Sequence, residues 1–306
     1  MLERISDIDP EVEYRRLSNK KAADTTKWLT THPDFISWLS GDSTSNRCLW
    51  LSGKGMDWVY GCTIARTLTR TRSRFREKYH HVGHPSHVCE LSADSVRTTA
   101  IDACVAKREQ DDCSAVLMFF FRTQNDTVLS LFECLTKQLI AALICIGKPC
   151  STDILSTLES LYGSEIPRPE ITQVITDLFL PLSSPSLFDD VTMIIDGVDE
   201  CKVSEMRILW HELDRILKKT SAKVMIASED QTELHLKGFN RIRVDRHHNT
   251  ADMNTYIDQQ IAGFSGSRQL LSDEALRNDI KRKLQTKADG MSVSIDPILI
   301  IYLELT

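Results

Sequence analysis

A cluster of acids directly after an apolar run carries the clearest chemical signal in this sequence. In VTMIIDGVDEC, Asp196 ends the run at 191–195, and Asp199 and Glu200 follow within one helical turn. Short apolar runs of this kind are typical of buried strands in parallel sheets, whose ligands bind where the strands end. Carboxylates there can hold Mg²⁺ through water and polarise an attacking water, as in phosphoryl transfer. The same residues also fit a solvated turn before a helix, so the motif alone leaves both interpretations open.

A second apolar run ends in glycines. The segment CLWLSGKG at 48–55 predicts a buried strand that enters a tight turn at Gly53, Lys54 and Gly55. Glycines in such a turn let backbone amides approach the phosphates of a nucleotide. We therefore expect the strands at 48–52 and 191–196 to be neighbours in one sheet, with Gly53 and Asp196 less than about 15 Å apart.

The strands and helices that must position these residues alternate along the chain. Further strands are predicted at 115–121, 223–228 and 241–244, and helices at 96–109, 127–146, 152–163, 168–181 and 204–219. This βαβ alternation predicts an α/β fold with a mostly parallel sheet and flanking helices on both faces. We divide the chain into an N-terminal helical segment at 1–45, an α/β domain at 46–247 and a helical region at 248–306.

Five segments in a fixed order resemble a known family. They are HPDFISWL (32–39), CLWLSGK (48–54), VLMFFF (116–121), MIIDGVDEC (193–201) and KVMIAS (223–228). Together they resemble the NACHT-type, nephrocystin-like N-terminal domains that are abundant in filamentous fungi. The resemblance implies a three-layer P-loop NTPase of the STAND class, which acts as a nucleotide-dependent signalling switch in the cytoplasm and assembles into oligomers. It also implies ATP or GTP with Mg²⁺ as ligands, Asp196 on the ion through water, and Asp199 or Glu200 near the attacking water.

The phosphate loop departs from the family pattern. Family members continue into Gly-x-Gly-Lys-Ser or Gly-x-Gly-Lys-Thr, whereas this chain reads SGKGMDWVYGCT at 52–63 and contains no GKS or GKT. In one alignment Val59 replaces the phosphate-binding lysine. In the other, Asp94 and Ser95 take the Lys-Ser positions, and 57–93 is an insertion or a gene-model error. We prefer the second because the helix at 96–109 then precedes strand 115–121 at the expected spacing. Both alignments remove the lysine.

Two further departures point the same way. Glu229 stands where the family strand commonly ends in Ser-Arg-Pro, so an acid replaces an arginine that would face the terminal phosphate. The chain ends at Thr306, soon after KADGM, where family members continue into a winged-helix region and repeats. These departures predict a switch domain with impaired nucleotide binding and hydrolysis. The alternative is a non-catalytic interaction or scaffold module, or a truncated pseudo-NTPase fragment.

Composition narrows the classes of partner and compartment. The net charge of −6 gives no general attraction to nucleic acid. The longest apolar runs are far shorter than the roughly 18 to 20 residues that cross a bilayer, so no membrane span is expected. The nine cysteines are odd in number and contain no CxxC pair, which favours reduced thiols in the cytoplasm.

Overall fold

The structure is a computed structural model that describes 2–21, 25–41, 46–53, 91–111, 113–122, 126–163, 167–229 and 238–244, with single positions beyond 250. The helices of the first part are α1 (Leu2–Ile5), α2 (Pro10–Lys20), α3 (Lys27–Thr31) and α4 (Pro33–Ser40). The strands are β1 (Cys48–Gly53), β2 (Ser114–Phe120), β3 (Asp190–Asp196), β4 (Lys223–Glu229) and β5 (Asn240–Val244). The remaining helices are α5 (Leu91–Arg108), α6 (Val128–Cys145), α7 (Thr152–Tyr162), α8 (Ile171–Leu182) and α9 (Val203–Lys219).

The chain forms two compact units. The first comprises Met1–Arg16, Leu29–Ser52 and Thr99–Arg243, and it holds most of the sheet and the helices α6 to α9. The second comprises Leu17–Trp28, Gly53–Thr98 and Val244–Thr306. The prediction that 57–93 is a separate insertion lies largely outside the described residues, although its last three positions belong to α5. The predicted helices beyond 250 also lie mostly outside them.

The five strands form one parallel sheet in the order β2-β3-β4-β1-β5. β2 pairs with β3 from Ser114 opposite Asp190 to Phe120 opposite Asp196, and β3 pairs with β4 up to Asp196 opposite Ala227. The α/β fold with a parallel sheet is therefore confirmed. The predicted adjacency of β1 and β3 is wrong, because β4 lies between them. KVMIA at 223–227 is buried throughout, as an interior strand requires, whereas β5 alternates between buried and exposed positions.

Helix α6 is the main core helix on one face of the sheet. It begins with a capping box in which Ser130 N donates to Thr127 Oγ1 and Thr127 N donates to Ser130 Oγ. Ten of its side chains are buried, and Phe132 packs edge-on against Phe179 of α8 with ring centroids 6.0 Å apart. By length and hydropathy α6 could cross a membrane, but 61% of it is buried inside the protein. Within the described residues this burial is what a core helix of an α/β domain shows.

A charged cluster fastens α4 to the amino end of the sheet. Lys223 Nζ is buried, lies 2.7 Å from Asp190 Oδ2 and donates to the carbonyl of Leu39 at 3.0 Å. Lys107 of α5 donates to the same carbonyl at 2.6 Å and lies 3.3 Å from the same carboxylate oxygen. The ammonium of Lys223 also lies 5.6 Å from the centre of the Trp38 ring. Burial lowers the pKa of Lys223, and the hydrogen bond that it donates to Asp190 opposes that effect.

Candidate nucleotide site at the carboxyl end of the sheet

Asp196 is the last residue of β3, which is an interior strand of the sheet. The residue is only 6% exposed. Its carbonyl accepts a 2.9 Å hydrogen bond from Phe121 N, which follows β2. On its other side Asp196 lies opposite Ala227 of β4. A carboxylate between two strand ends is the arrangement predicted for a metal-linked acid, although its role remains a prediction.

Gly197 makes the turn after Asp196. Its φ is +70°, and a Cβ at this position would lie 2.6 Å from the carbonyl oxygen of Phe121. No side chain fits that contact without moving the backbone. Gly197 N also donates to the carbonyl of Ala227 at 3.0 Å, so the turn is fixed to the strands on both sides. Sequence reasoning did not single out this glycine, although the Asp-Gly pair is a turn signal.

The turn sends the other two acids outward. Val198, the first residue of a 3-10 turn, is buried, whereas Asp199 and Glu200 are exposed. Asp199 Oδ1 accepts a 3.2 Å hydrogen bond from the backbone N of Glu229, at the end of β4. Asp199 is therefore linked to the end of β4, where Glu229 is a second acid. Such a surface repels the phosphates of a nucleotide unless cations are present.

The sequence analysis missed a cation, Arg122, just beyond the carboxyl end of β2. Arg122 follows β2 by two residues and forms an ion pair with Glu13 of α2. Its backbone N donates to Asp126 Oδ2 at 2.8 Å. Burial lowers the pKa of Arg122, whereas the charges of Asp126 and Asp196 act in the opposite direction. The only local signal was a charged residue directly after the apolar run at 115–121, and that signal does not reveal Glu13 as its partner.

The strand ends on the β1 side are joined by polar and aromatic contacts. Ser52 is fully buried and accepts a 2.7 Å hydrogen bond from Nε of Arg241, whose guanidinium lies 4.1 Å from the centre of the Trp50 ring. Trp50 Nε1 donates to Ser228 Oγ at 2.9 Å. These contacts fix the end of β1 against β4 and β5. By strand count, the carboxyl ends of β1 and β3 are two spacings apart, about 10 Å.

The predicted phosphate-binding residues are only partly described. Gly53 ends β1, and a Cβ there would make ordinary contacts of 3.7 Å with Val244, so these neighbours do not require glycine. Lys54 and Gly55 lie outside the described residues. Ser95 is buried near the start of α5, and its carbonyl accepts a 3.3 Å hydrogen bond from Oγ1 of Thr26. Thr26 has a φ of +63°, which is uncommon for a β-branched residue.

A magnesium ion fits this edge with one protein carboxylate. Within the part of the chain that the structure describes, no three His, Cys, Asp or Glu side chains converge on a common point. Mg²⁺ commonly keeps several waters and binds through one or two carboxylates together with substrate phosphates. Asp196, as a hard oxygen ligand at the strand end, fits that mode of binding.

The five parallel strands and their flanking helices define an α/β domain that is consistent with a P-loop NTPase-like fold. Residues 95–229 match the sequence profile of the family described as "Nephrocystin 3, N-terminal". The match runs from within α5 to the end of β4, so this part of the chain is similar to that family. It covers less than half of the chain and does not include β1.

The comparison with solved structures adds no functional argument. The chain is similar to "Structure of C. elegans PCH-2" with 10% sequence identity and a TM-score of 0.39, over 94% of this chain and 66% of that chain. It therefore spans just under two thirds of the length of that chain. A search of curated proteins finds no match.

Proposed function

We propose that this protein is a nucleotide-binding switch domain of the NACHT type in the STAND class, with weakened nucleotide affinity and no measurable turnover. The observation that carries the proposal is the position of Asp196, a buried carboxylate at the end of an interior strand. The nephrocystin-like match over 95–229 supports the same class. In this proposal Asp196 binds Mg²⁺ through water, Asp199 or Glu200 lies near the attacking water, and ATP or GTP is held near Gly53, Lys54, Gly55 and Ser95.

The weakness of binding follows from the charges at the site. A phosphate loop normally offers backbone amides, one lysine and a magnesium ion. Neither alignment of this chain supplies the lysine, and the acid Glu229 ends β4 where the family strand has an arginine. Hydrogen bonds to charged groups contribute roughly 1.5–3 kcal/mol each, so loss of the lysine lowers affinity by about one to two powers of ten. We therefore expect at best affinities on the order of millimolar for ATP.

The proposal is tested by nucleotide titration. Calorimetry with ATP and Mg²⁺ should show weak heat for the unchanged chain, and this heat should disappear in Asp196→Asn. A chain in which 55–95 is replaced by a family-like PGSGKS loop should bind at least tenfold more tightly. Glu205→Gln is the matched control, because Glu205 accepts a hydrogen bond from Val128 N at the start of α6 and is not part of the proposed site. A repaired chain that ignores ATP would contradict the proposal.

The second candidate is an interaction module that keeps the α/β scaffold without binding nucleotide. The missing lysine and the acid at 229 favour it. In that case neither the unchanged nor the repaired chain responds to ATP, while both still bind a protein partner or a second copy. The switch proposal also includes a cytoplasmic location and assembly through the domain. Sedimentation with and without nucleotide would test the assembly.

A further inference from the structure

Strand β2 is an outer strand of the sheet, and its sequence has none of the features that usually protect such a strand. The segment SAVLMFF at 114–120 contains no charged residue, proline or glycine. Its pairing with β3 continues without a bulge from the first residue of the strand to the last. Uncharged, apolar edge strands of this length pair readily with other strands. The opposite outer strand, β5, differs because Arg241 and Arg243 are two of its five residues.

The backbone groups of β2 point alternately to β3 and to the outer edge. Directly after the strand, Phe121 N donates to the carbonyl of Asp196, and directly before it, the carbonyl of Cys113 accepts from Asp189 N. The odd-numbered residues of β2 therefore bond to β3, and the even-numbered residues direct their N–H and C=O groups outward. Met118 is the outward-facing residue nearest to the carboxyl half of the strand that is still flanked by β residues on both sides. Such groups are the ones to which an incoming strand bonds.

The side chain of Gln138 on α6 holds both outward groups of Met118. Met118 N donates to Gln138 Oε1 at 2.9 Å, and Gln138 Nε2 donates to the carbonyl of Met118 at 2.8 Å. The same Nε2 lies 3.3 Å from the carbonyl of Cys134, one helical turn earlier, and this contact fixes the orientation of the amide. Because a glutamine amide offers a donor and an acceptor side by side, Gln138 takes the place of one residue of a neighbouring strand.

We infer that Gln138 is a clamp that prevents the β2 edges of two copies of this chain from pairing. The strand that it excludes is β2 of a second copy, because two identical edges can pair antiparallel about a two-fold axis, and neither carries a charge that opposes this. When Gln138 releases Met118, a donor and an acceptor on the edge become available to the second copy. The clamp concerns self-association and does not depend on nucleotide binding.

Amide hydrogen exchange at low protein concentration tests the clamp itself. In Gln138→Leu the N–H of Met118 loses its acceptor, so it should exchange at least about tenfold faster than in the unchanged chain. The N–H of Phe119, which faces β3, should keep its protection. Gln173→Leu is the matched control, because Gln173 Oε1 also accepts a 3.0 Å hydrogen bond from a backbone N, that of Glu170 at the start of α8. This control should leave the exchange of Met118 unchanged.

Sedimentation over a range of protein concentrations, without nucleotide, tests the consequence for self-association. Gln138→Leu should associate at least about tenfold more tightly than the unchanged chain, because its β2 edge is open. Gln138→Glu should not, although it also loses the donor to the carbonyl of Met118, because a charge beside an edge strand opposes pairing. Gln138→Asn keeps the polarity but is one methylene too short to hold both groups. It should behave like the leucine variant, and it replaces that variant if leucine prevents folding.

The outcomes distinguish an open edge from general damage to the fold. Faster exchange at Met118 with protection retained at Phe119, together with tighter association of the leucine and asparagine variants alone, would support the clamp. Unchanged exchange at Met118 in both of these variants would overturn it. Equal association of the leucine, asparagine and glutamate variants would also overturn it, because lost stability would then explain the association. Leucine and asparagine variants that associate no more than the unchanged chain would show that the β2 edge does not pair.

Discussion

The two ends of the same sheet hold charged clusters that are built differently. At the amino end, Lys223 is 3% exposed and shares the carboxylate of Asp190 and the carbonyl of Leu39 with Lys107. At the carboxyl end, Arg122 is half-exposed and forms an ion pair with Glu13. The first cluster is closed, since both cations contact the Asp190 carboxylate and the Leu39 carbonyl, and Lys107 also contacts the carbonyl of Ser40. The second is open to solvent, since the Arg122 side chain is 46% exposed and Asp199 and Glu200 are exposed.

This difference favours a structural role for the first cluster and a ligand-binding role for the second. A buried network in which every member has its partners fixes a single packing arrangement, here that of α4 on the sheet. A cluster of acids that is open to solvent can accept an outside cation, because that cation reduces repulsion among the acids. The carboxyl end is therefore the end at which ligand binding is expected, in agreement with the general rule for open parallel sheets.

The largest expected effect lies at the amino end. Asp190→Ala leaves Lys223 buried beside Lys107 with no carboxylate, and removal of one partner of a buried pair typically destabilises by about 3–5 kcal/mol. Since Asp190 is partly exposed, we expect about 3 kcal/mol in urea denaturation. Adding Lys223→Met should recover much of this loss. A loss below about 1 kcal/mol would show that the amino-end cluster is not closed.

At the carboxyl end the backbone, rather than the charges, should be the sensitive part. Gly197→Ala places a Cβ 2.6 Å from the carbonyl of Phe121 at a positive φ, so it should destabilise by about 2–3 kcal/mol. Gly147→Ala is the matched control, because Gly147 has a φ of +69° and nothing within 4 Å of its Cβ position. It should lose only about 1 kcal/mol. Equal losses would mean that the close approach to Phe121 does not constrain the turn.

Alkaline pH should lower the stability of the fold through Cys104, a buried thiol on α5. Burial raises the pKa of Cys104 from 9.0 to about 12. Above pH 9 the unfolded chain loses this proton while the folded chain keeps it, so stability falls as pH rises from 9 towards 12. The fall attributable to Cys104 approaches about 1.4 kcal/mol per pH unit. Denaturation of the unchanged chain and of Cys104→Ala at pH 8, 9 and 10 should show a shallower decline for the variant, and parallel declines would contradict the assignment.

The smallest effect is expected for an exposed acid of the open cluster. Asp199→Asn keeps an oxygen that can accept the hydrogen bond from Glu229 N and removes one exposed charge. We expect a change in the free energy of unfolding within about 0.5 kcal/mol. Any effect of this variant should instead appear in nucleotide titrations of the loop-repaired chain. A large loss of stability would place Asp199 in the framework and remove it from the proposed site.

Much of the fold could be predicted because it depends on local patterns. The bounds predicted for the strand at 191–196 and the helix at 127–146 agree with those of β3 and α6 to within one residue at both ends. Continuous apolar runs and long apolar segments indicate burial directly from the sequence. The order of the strands could not be predicted in this way. The sequence of a strand that is buried on both faces does not indicate which strands lie next to it. The placement of β4 between β1 and β3 was therefore missed.

The sequence by itself determined the class of domain and the acids that end β3, because these follow from residue types and spacing within short segments. Only the tertiary structure decided which charges meet. Arg122 pairs with Glu13, and Tyr14 bonds to Asp102, which lies 88 residues further along the chain. The local sequence patterns around these residues do not indicate that they meet. Such contacts depend on how helices dock on the sheet, and docking is set by the summed packing of the core.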